Sequence, residues 1–253
     1  MKQRLIMITG GTGKIGRLLV SHFLARGDRV ITTGRSESSL AVLRDAHAEA
    51  VDQLHLLTVD FCAADSVARM VEAMAEMGLY PEALINTARS LDFLEIREDG
   101  TVTRENFLGE YLVDVVAPYE LTMALAMQAQ SRLRHVVNVG SQYGLVAANP
   151  SLYSDPLRQS PIHYGVAKAA LAHLTRELAV RLVARNVRVN CVAFGGVEGR
   201  VDDAFKSRYA ALCPQGRMLG EGELAGPVEL LLSEDCSAIT GQIIAADGGW
   251  SLW

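Results

Sequence analysis

Residues 4–16, RLIMITGGTGKIG, join a short apolar strand pattern to a glycine-rich turn and the start of a helix. Glycines at this spacing permit a tight turn, close approach of a pyrophosphate to backbone N–H groups, and close packing of helix on strand. The helix N-terminus also favours negative charge. The stretch therefore indicates dinucleotide binding, with a purely structural turn as the alternative. The turn residues expected to contact the cofactor are Gly10, Thr12, Gly13, Lys14, Ile15 and Gly16.

Further along the chain, short β-branched runs alternate with longer helical patterns, which is typical of a parallel sheet covered on both faces. We expect residues 1–253 to form a single α/β domain, a Rossmann-like doubly wound seven-stranded parallel sheet with helices on both faces. Segments 145–162 and 195–222, which are rich in proline or in glycine and charge, are predicted to be irregular. The predicted strands are 4–8, 29–33, 55–59, 83–85, 135–139, 188–192 and 243–245.

Composition excludes several classes of protein. With 24 basic and 29 acidic residues the formal charge is -5, so the chain lacks the electrostatic footprint of a nucleic-acid binder. The apolar run near the N-terminus is too short for a signal peptide or a membrane span, which predicts a cytoplasmic protein with no membrane partner. The four cysteines are widely separated and no metal-ligand spacing is present, so no metal site is expected.

The end of the second predicted strand bears on cofactor choice. An acidic residue there would bind the ribose 2′-OH of NAD, whereas a basic residue would accommodate the 2′-phosphate of NADP. The sequence has Arg35 and Ser36 at this point, and Lys14 is a possible second cation. This pattern favours NADP(H) and leaves NAD(H) possible. The alternative is that Arg35 is a solvated surface charge.

Tyr164 and Lys168 are four residues apart and therefore share one face of a helix. A cation near a phenol favours the ionised form and lowers the tyrosine pKa toward neutrality, so that the phenol can exchange a proton with a carbonyl or alcohol oxygen. On spacing alone, an exposed amphipathic helix face is the simpler explanation of this pair.

The ordered set of motifs resembles the short-chain dehydrogenase/reductase family over essentially the full length of the chain. The turn at 9–16 is similar to the family's cofactor turn, and the Tyr-x-x-x-Lys pair matches its catalytic pair. Arg188-Val189-Asn190 and the terminal Asp247-Gly248-Gly249 complete the likeness. The intervening motifs are Asp60-Phe61, Asn86-Thr87-Ala88, Asn138-Val139-Gly140-Ser141 and Gly195-Gly196-Val197.

The resemblance implies a role for each matching residue. Ser141 would hydrogen-bond the substrate oxygen, Tyr164 would be the general acid in reduction and the general base in oxidation, and Lys168 would bind the nicotinamide ribose and lower the tyrosine pKa. Asp60, Phe61, Asn86, Ala88 and Val197 would contact the cofactor. The resemblance also implies a homodimer or homotetramer formed through the helices at 111–127 and 164–184 and the C-terminal segment.

Some positions depart from the family pattern. Lys14 lies where short single-domain members usually have glycine, so the cofactor turn is expected to have a different shape. Asp114 replaces the asparagine whose main-chain carbonyl anchors a proton-relay water. Because that contact is made by the main chain, Asp114 is expected to keep the helix distortion and the catalytic relay function; the alternative is that its charge repels an anionic substrate or alters the relay. Arg89 replaces a glycine near the expected active site, where it could clamp a substrate carboxylate or phosphate. Alternatively, Arg89 pairs with Asp92, Glu95 or Asp114, or lies on the surface.

The chain between Ser141 and Tyr164 is longer than is usual for the family. Tyr143 and Tyr153 are predicted substrate contacts in this inserted loop at 143–163, because long ordered loops commonly carry specificity. Loop length and the tail motifs are most similar to the flagellin-modification protein A group, which is associated with nucleotide-sugar and nonulosonic-acid precursor pathways.

These observations predict an NADP(H)-dependent oxidoreductase that interconverts a carbonyl and a secondary alcohol on a small polar metabolite such as a sugar or nucleotide-sugar derivative. A reductase of 3-oxoacyl or pteridine substrates is one alternative. A non-catalytic dinucleotide-binding sensor is the alternative from another class of protein, although a sensor has no need of Ser141, Tyr164 and Lys168 together.

Overall fold

A computed structural model describes residues 3–199 and 201–253. The described residues contain one parallel sheet of seven strands in the order β3-β2-β1-β4-β5-β6-β7. This order confirms the predicted fold class. The strands are β1 (Leu5–Ile8), β2 (Arg29–Gly34), β3 (Leu54–Thr58), β4 (Ala83–Asn86), β5 (His135–Ser141), β6 (Arg188–Phe194) and β7 (Ile243–Ala246).

Helices connect successive strands and cover both faces of the sheet. They are α1 (Lys14–Ala25), α2 (Glu37–Asp45), α3 (Ser66–Glu76), α4 (Arg104–Tyr111), α5 (Ala117–Met127), α6 (Pro156–Gln159), α7 (Ile162–Leu182), α8 (Asp203–Leu212) and α9 (Ala225–Leu232). A π-helical turn at Leu112–Val116 joins α4 to α5.

Successive side chains along each strand point to opposite faces of the sheet and pack into two hydrophobic cores, one on each face. Met7 contributes to a cluster that contains residues of α3, α5 and α7. Ile6 and Ile8, which point to the opposite face, contribute to a second cluster with residues of α1, α2 and α9. Both faces of the sheet are therefore buried, which is why its strands are continuous apolar runs.

The strand order reverses beside β1, which lies between β2 and β4. In open parallel sheets, ligands bind at the carboxyl ends of the strands where the order reverses. The loops that follow β1, β2 and β4 meet at this edge, and they carry the glycine turn and several of the other residues predicted to contact the cofactor.

Two predicted boundaries are wrong. The helix expected from residue 111 begins at Arg104 and contains the π-helical turn, because Thr103 caps α4 by accepting the backbone N–H of Asn106. The segment predicted to be irregular at 195–222 contains α8, which is capped by the side chain of Asp202. The inserted loop is mostly irregular, as expected, with 3₁₀ turns and the short α6.

None of the helices in the described residues is long and apolar enough to cross a membrane.

Candidate active site

The glycine turn links the end of β1 to the end of β4. Thr9 Oγ1 accepts hydrogen bonds from the backbone N–H groups of Thr87 at 3.0 Å and Ala88 at 3.1 Å. Gly10 has a φ of +69°, and a Cβ at this position would lie 2.7 Å from the Ala88 Cα. At Gly16 a Cβ would lie 2.2 Å from the Gly10 carbonyl oxygen. The backbone can pass this close only because both residues are glycine.

The turn also fits an anionic group. Gly13 is the N-cap of α1 and offers no side-chain cap, and the first turn of the helix carries no acidic residue. The first N–H groups of α1 are therefore free of side-chain acceptors and have the polarity that binds a phosphate. Lys14 Nζ lies 3.6 Å from Glu221 Oε1, so its ammonium is turned toward the segment that follows α8.

The residues predicted to contact the adenosine half of a dinucleotide lie after β2 and β3. Arg35 is exposed and forms an ion pair with Asp92, and its Nη1 is 3.4 Å from Ser90 Oγ. Ser36 caps α2. The Asp60 carboxylate accepts the backbone N–H of Cys62 at 2.9 Å. Arg35 thus has a carboxylate partner that the sequence pattern did not assign to it.

Phe61, Asn86 and Ala88 line a narrow cavity of about 10 Å³ beside the glycine turn. The Asn86 side chain donates to Asn138 Oδ1 at 2.8 Å, and Asn138 in turn donates to Thr175 Oγ1 at 2.9 Å. This buried chain of hydrogen bonds ties β4 and β5 to α7, which fixes where α7 presents its first turns.

Tyr164 and Lys168 lie in the first two turns of α7, where Tyr164 is half-buried and Lys168 is buried. Lys168 Nζ donates to the Val139 carbonyl at 3.1 Å and lies 3.0 Å from Asp114 Oδ2. Burial by itself lowers the pKa of Lys168, but Asp114 and Tyr164 outweigh it, so the pKa lies above its ordinary value. The ammonium therefore stays charged inside the protein.

Asp114 is buried in the π-helical turn. Its carboxylate makes no well-directed hydrogen bond within the described residues, so its contact with Lys168 is an ion pair. The sequence raised the question of whether this carboxylate repels a substrate. The structure instead aims it at the Lys168 ammonium, away from solvent.

Ser141 ends β5 and is buried. Its Oγ accepts the backbone N–H of Tyr143 at 3.2 Å. The turn that follows packs directly on α7: a Cβ on Gly144 would lie 2.8 Å from the Lys168 carbonyl oxygen, and one on Gly165 would lie 3.3 Å from the Tyr143 carbonyl oxygen. The turn after Ser141 is thereby held against the helix of the Tyr-Lys pair.

Arg89 is exposed and lies over the Tyr164 ring, with its Cζ 4.4 Å from the ring centroid. Lys168 Nζ is farther from the same centroid, at 5.7 Å. Among the alternatives for Arg89, the surface position agrees with its exposure. No ion pair of Arg89 with Asp92, Glu95 or Asp114 is present in the described residues, and Asp92 pairs with Arg35. Arg89 thus belongs to the Tyr-Lys site.

Glu110 was not anticipated from the sequence. This residue is 1% exposed, and neither carboxylate oxygen has a hydrogen-bond partner in the described residues. Burial, assisted by the charge of Asp114, raises the pKa of Glu110 to about 7, while Arg89 and Lys168 oppose the shift. Because Glu110 and Asp114 are four residues apart, a helix covering both would have placed them on one face. The helix predicted for this segment started at residue 111, one residue too late to include Glu110.

The inserted loop presents two linked phenols. The oxygens of Tyr143 and Tyr153 are 2.6 Å apart, and both side chains are half-buried. Burial raises the pKa of both groups, so both remain protonated at neutral pH. The bond occupies one hydrogen-bonding position of each phenol, which leaves less capacity for a substrate than two free tyrosines would have.

Val197 lies beside Leu219 in a parallel bridge. The preceding Gly196 N–H donates to Tyr209 Oη at 2.8 Å, and that hydroxyl donates to Gln142 Oε1 at 2.9 Å. Tyr209 therefore connects the segment after β6 to the turn after Ser141. It was missed because it lies on α8, within the segment predicted to be irregular.

Within residues 3–199 and 201–253, no cluster of histidine, cysteine and carboxylate side chains is suited to hold a metal ion. His163, next to Tyr164, is buried, and its Nε2 lies 2.6 Å from the Phe93 carbonyl. This contact fixes the start of α7 against the loop after β4.

Comparisons with known proteins agree with this geometry. The family model described as enoyl-(acyl carrier protein) reductase matches residues 12–251. The chain is 24% identical over 261 residues to the post-translational flagellin modification protein A of Campylobacter coli, with 100% of both sequences covered. It is 27% identical over 259 residues to a 3-oxoacyl-(acyl-carrier-protein) reductase of Aquifex aeolicus, covering 98% of each.

Solved structures show the same architecture. A short-chain dehydrogenase from Leptospira borgpetersenii with bound NAD+ superposes with a TM-score of 0.85 and 25% identity, covering 99% of this chain and 94% of that one. The expected resemblance to the flagellin-modification group is confirmed by the full-length match to the Campylobacter protein.

Proposed function

The chain belongs to the short-chain dehydrogenase/reductase family, and we propose that it is an NADP(H)-dependent oxidoreductase that interconverts a carbonyl and a secondary alcohol on a small polar metabolite. The observation that supports this most directly is that two cations, Lys168 and Arg89, both lie within about 6 Å of the Tyr164 ring centroid. A phenol in contact with positive charge is suited to give and take a proton.

Each residue of the site has a distinct task. The Ser141 hydroxyl would donate a hydrogen bond to the substrate oxygen, and Tyr164 would donate its proton to that oxygen in reduction or accept it in oxidation. Lys168, held by Val139 and Asp114, would bind the ribose hydroxyls of the cofactor. The bound nicotinamide supplies or accepts the hydride. The protein's contribution is orientation and proton transfer.

The cofactor would lie along the crevice above β1. The glycines at 10 and 16 supply the close backbone approach, and the uncapped N-terminus of α1 supplies N–H donors for the pyrophosphate. These features fit a dinucleotide. The full set proposed to hold it is Gly10, Thr12, Gly13, Lys14, Ile15, Gly16, Arg35, Ser36, Asp60, Phe61, Asn86, Ala88, Lys168 and Val197.

The preference for NADP(H) depends on Arg35, which would exchange Asp92 for the 2′-phosphate. The Arg35–Asp92 pair is exposed, and exposed pairs contribute about 1 kcal/mol or less, so a phosphate can displace the carboxylate. We expect NADPH to bind more tightly than NADH, and Arg35→Ala to lower NADPH affinity by roughly tenfold with little effect on NADH. Titration calorimetry measures both affinities.

Arg44→Ala is the matched control for Arg35→Ala, because Arg44 is an exposed arginine at the end of α2. Its affinity for both cofactors should equal that of the wild type. Tighter binding of NADH than of NADPH by the wild-type protein would refute the preference.

A sugar or nucleotide-sugar derivative is the proposed substrate class. This choice rests on the inserted loop and on the likeness to the flagellin-modification protein. A 3-oxoacyl thioester is the second candidate, favoured by the similarity to the Aquifex reductase over 98% of each chain. Arg89 and the tyrosines at 143 and 153 are the proposed substrate contacts.

Replacing Tyr164 tests the catalytic assignment. Tyr164→Phe removes the proton-transferring oxygen, and we expect nicotinamide-dependent turnover to fall by about 10²- to 10⁴-fold. The assay compares ketoses, nucleotide sugars and 3-oxoacyl thioesters, so the active class also distinguishes the two substrate candidates. Tyr80→Phe removes a phenol oxygen elsewhere and should retain wild-type turnover. Equal turnover of Tyr164→Phe and wild type would contradict the proposal, and dinucleotide binding without any turnover would favour a sensor.

The active form is proposed to be a cytoplasmic homodimer or homotetramer. Exposed apolar side chains on α4, α5 and α7 supply a surface for such contacts. They include Phe107, Leu108, Tyr111, Tyr119, Met127, Ile162, Val166 and Val180.

A further inference from the structure

Two of the positions that depart from the family pattern both contact the Tyr-Lys pair, and they carry opposite charges. Asp114 Oδ2 lies 3.0 Å from Lys168 Nζ, and both side chains are buried. Arg89 Cζ lies 4.4 Å from the centroid of the Tyr164 ring. One departure therefore adds a negative charge at the lysine, and the other adds a positive charge at the tyrosine.

The negative charge changes what Lys168 can do for Tyr164. An ammonium and a carboxylate 3.0 Å apart act on a third group as a dipole, whose field falls off faster than that of a single charge. Both are shielded from water, so solvent does not weaken this cancellation. Compared with an unpaired lysine, Lys168 contributes less to holding a negative charge on the phenol.

The positive charge of Arg89 lies close enough to the Tyr164 ring to replace the stabilisation of the phenolate that Lys168 loses to Asp114. A guanidinium remains protonated at any working pH, and a cation over the face of an aromatic ring is attracted to it. When the phenol loses its proton, the negative charge spreads into the ring, so this attraction increases. Arg89 Cζ is also closer to the ring centroid than Lys168 Nζ is, at 4.4 Å against 5.7 Å.

We propose that Arg89 supplies the positive charge that stabilises the Tyr164 phenolate, while Asp114 anchors Lys168 and offsets its charge. Arg89 is thus a positioning and charge-supplying residue for proton transfer. The proposal rests on the proposed function only in taking Tyr164 as the group that exchanges the proton. The formal charge of Arg89, Lys168 and Asp114 together is the same as that of a lone lysine.

Other titratable groups face the same site from each packed element. Glu110 on α4 changes charge near neutrality, because burial raises its pKa to about 7. Above that pH it adds a negative charge that opposes Arg89, and below it the carboxyl is neutral. Tyr153 from the inserted loop interacts with Tyr164, and the buried Cys191 thiol from β6 interacts with Lys168.

A titration of the phenol tests the proposal without relying on turnover. Ultraviolet difference absorbance, wild type minus Tyr164→Phe, isolates the ionisation of Tyr164, and the same difference is measured in each variant background. We expect Arg89→Gln to raise the Tyr164 midpoint by about one pH unit, a tenfold change in the ionisation equilibrium. Asp114→Asn should lower the midpoint by a similar amount. The double variant should return close to the wild-type midpoint.

Arg89→Lys is the matched control, because it keeps a cation at the same exposed position and should retain most of the wild-type midpoint. If Arg89→Gln leaves the midpoint unchanged, the proposal is wrong. It is equally wrong if Arg89→Gln raises the KM for anionic substrates without moving the Tyr164 midpoint, since Arg89 would then act through substrate contact alone. Failure of the proposed function would appear instead as Tyr164→Phe turnover equal to wild type, while the titration would still report on Arg89.

Discussion

At the scale of single residues, Glu110 is a carboxyl group whose burial lowers the stability of the fold when the group is ionised. It is almost fully buried in the described structure, without a hydrogen-bond partner for either oxygen, one turn before Asp114. A buried carboxylate without donors is stable only when protonated, which is why burial raises its pKa to about 7. The carboxyl groups of Glu110 and Asp114 and the ammonium of Lys168 thus lie in the same part of the protein interior.

The raised pKa of Glu110 makes the folded protein less stable as the pH rises. The unfolded chain releases the Glu110 proton near its ordinary pKa of 4.5, whereas the folded protein keeps it to about 7. Between these values the folded state binds more protons, so Glu110 lowers the free energy of unfolding as the pH rises, by about 3 kcal/mol in all. Denaturant unfolding from acid to mildly alkaline pH should therefore show Glu110→Gln gaining stability over wild type as the pH increases.

Glu105→Gln is the control for this prediction, because Glu105 is exposed in the first turn of the same helix. Its stability should follow the wild type at every pH. Parallel stability curves for wild type and Glu110→Gln would contradict the prediction, because they would mean that Glu110 has the same pKa in the folded and unfolded states.

Sequence reasoning succeeded for residues whose chemistry depends on local spacing. Tyr164 and Lys168 are one helical turn apart, and the structure places both at the site. It failed for Glu110, because the burial of a carboxylate depends on what packs over it. Arg35 and Asp92 show the same limit: they are 57 residues apart, and no local pattern brings them together.

At the scale of elements, the inserted loop depends on one buried side chain. Leu152 has no exposed surface and lies in a hydrophobic cluster with Tyr209, Met218 and Trp250. Leu152→Ala should lower the free energy of unfolding by about 2–5 kcal/mol and speed proteolytic cleavage within residues 143–163. Denaturant unfolding and limited proteolysis measure the two effects.

Leu157 provides a control within the same loop, because 73% of its surface is exposed. Leu157→Ala should change the free energy of unfolding by less than about 0.5 kcal/mol. Equal effects of the two substitutions would mean that Leu152 does not anchor the loop.

The π-helical turn at Leu112–Val116 illustrates why some elements escape prediction. The run of apolar residues there favours a helix of some kind. The wider turn is set by packing, which buries Val113, Asp114 and Val115 in succession. The strands were easier to predict from the sequence. Buried parallel strands are short β-branched runs, which can be recognised without knowing which strands pair with them.

At the scale of the whole molecule, α7 carries exposed apolar residues on its outer side, including Val180 at 78% exposure. If these form the proposed homo-oligomer contact, a buried charge there should break it. We expect Val180→Glu to reduce the molecular mass in light scattering to that of a smaller species. Leu230→Glu, on α9 and 50% exposed, should leave the mass unchanged. An unchanged mass for Val180→Glu would exclude this face from the contact.

The shared cluster around Leu152 has a consequence for protein engineering. The inserted loop, α8 and the C-terminal tail meet there, where the rings of Tyr209 and Trp250 stack with centroids 4.4 Å apart. A chimaera that grafts a relative's loop alone would leave the tail facing a mismatched partner. Transplanting the loop, α8 and the tail together keeps the hydrophobic contacts among all three. Chimaeras between relatives should therefore exchange these three segments as one unit.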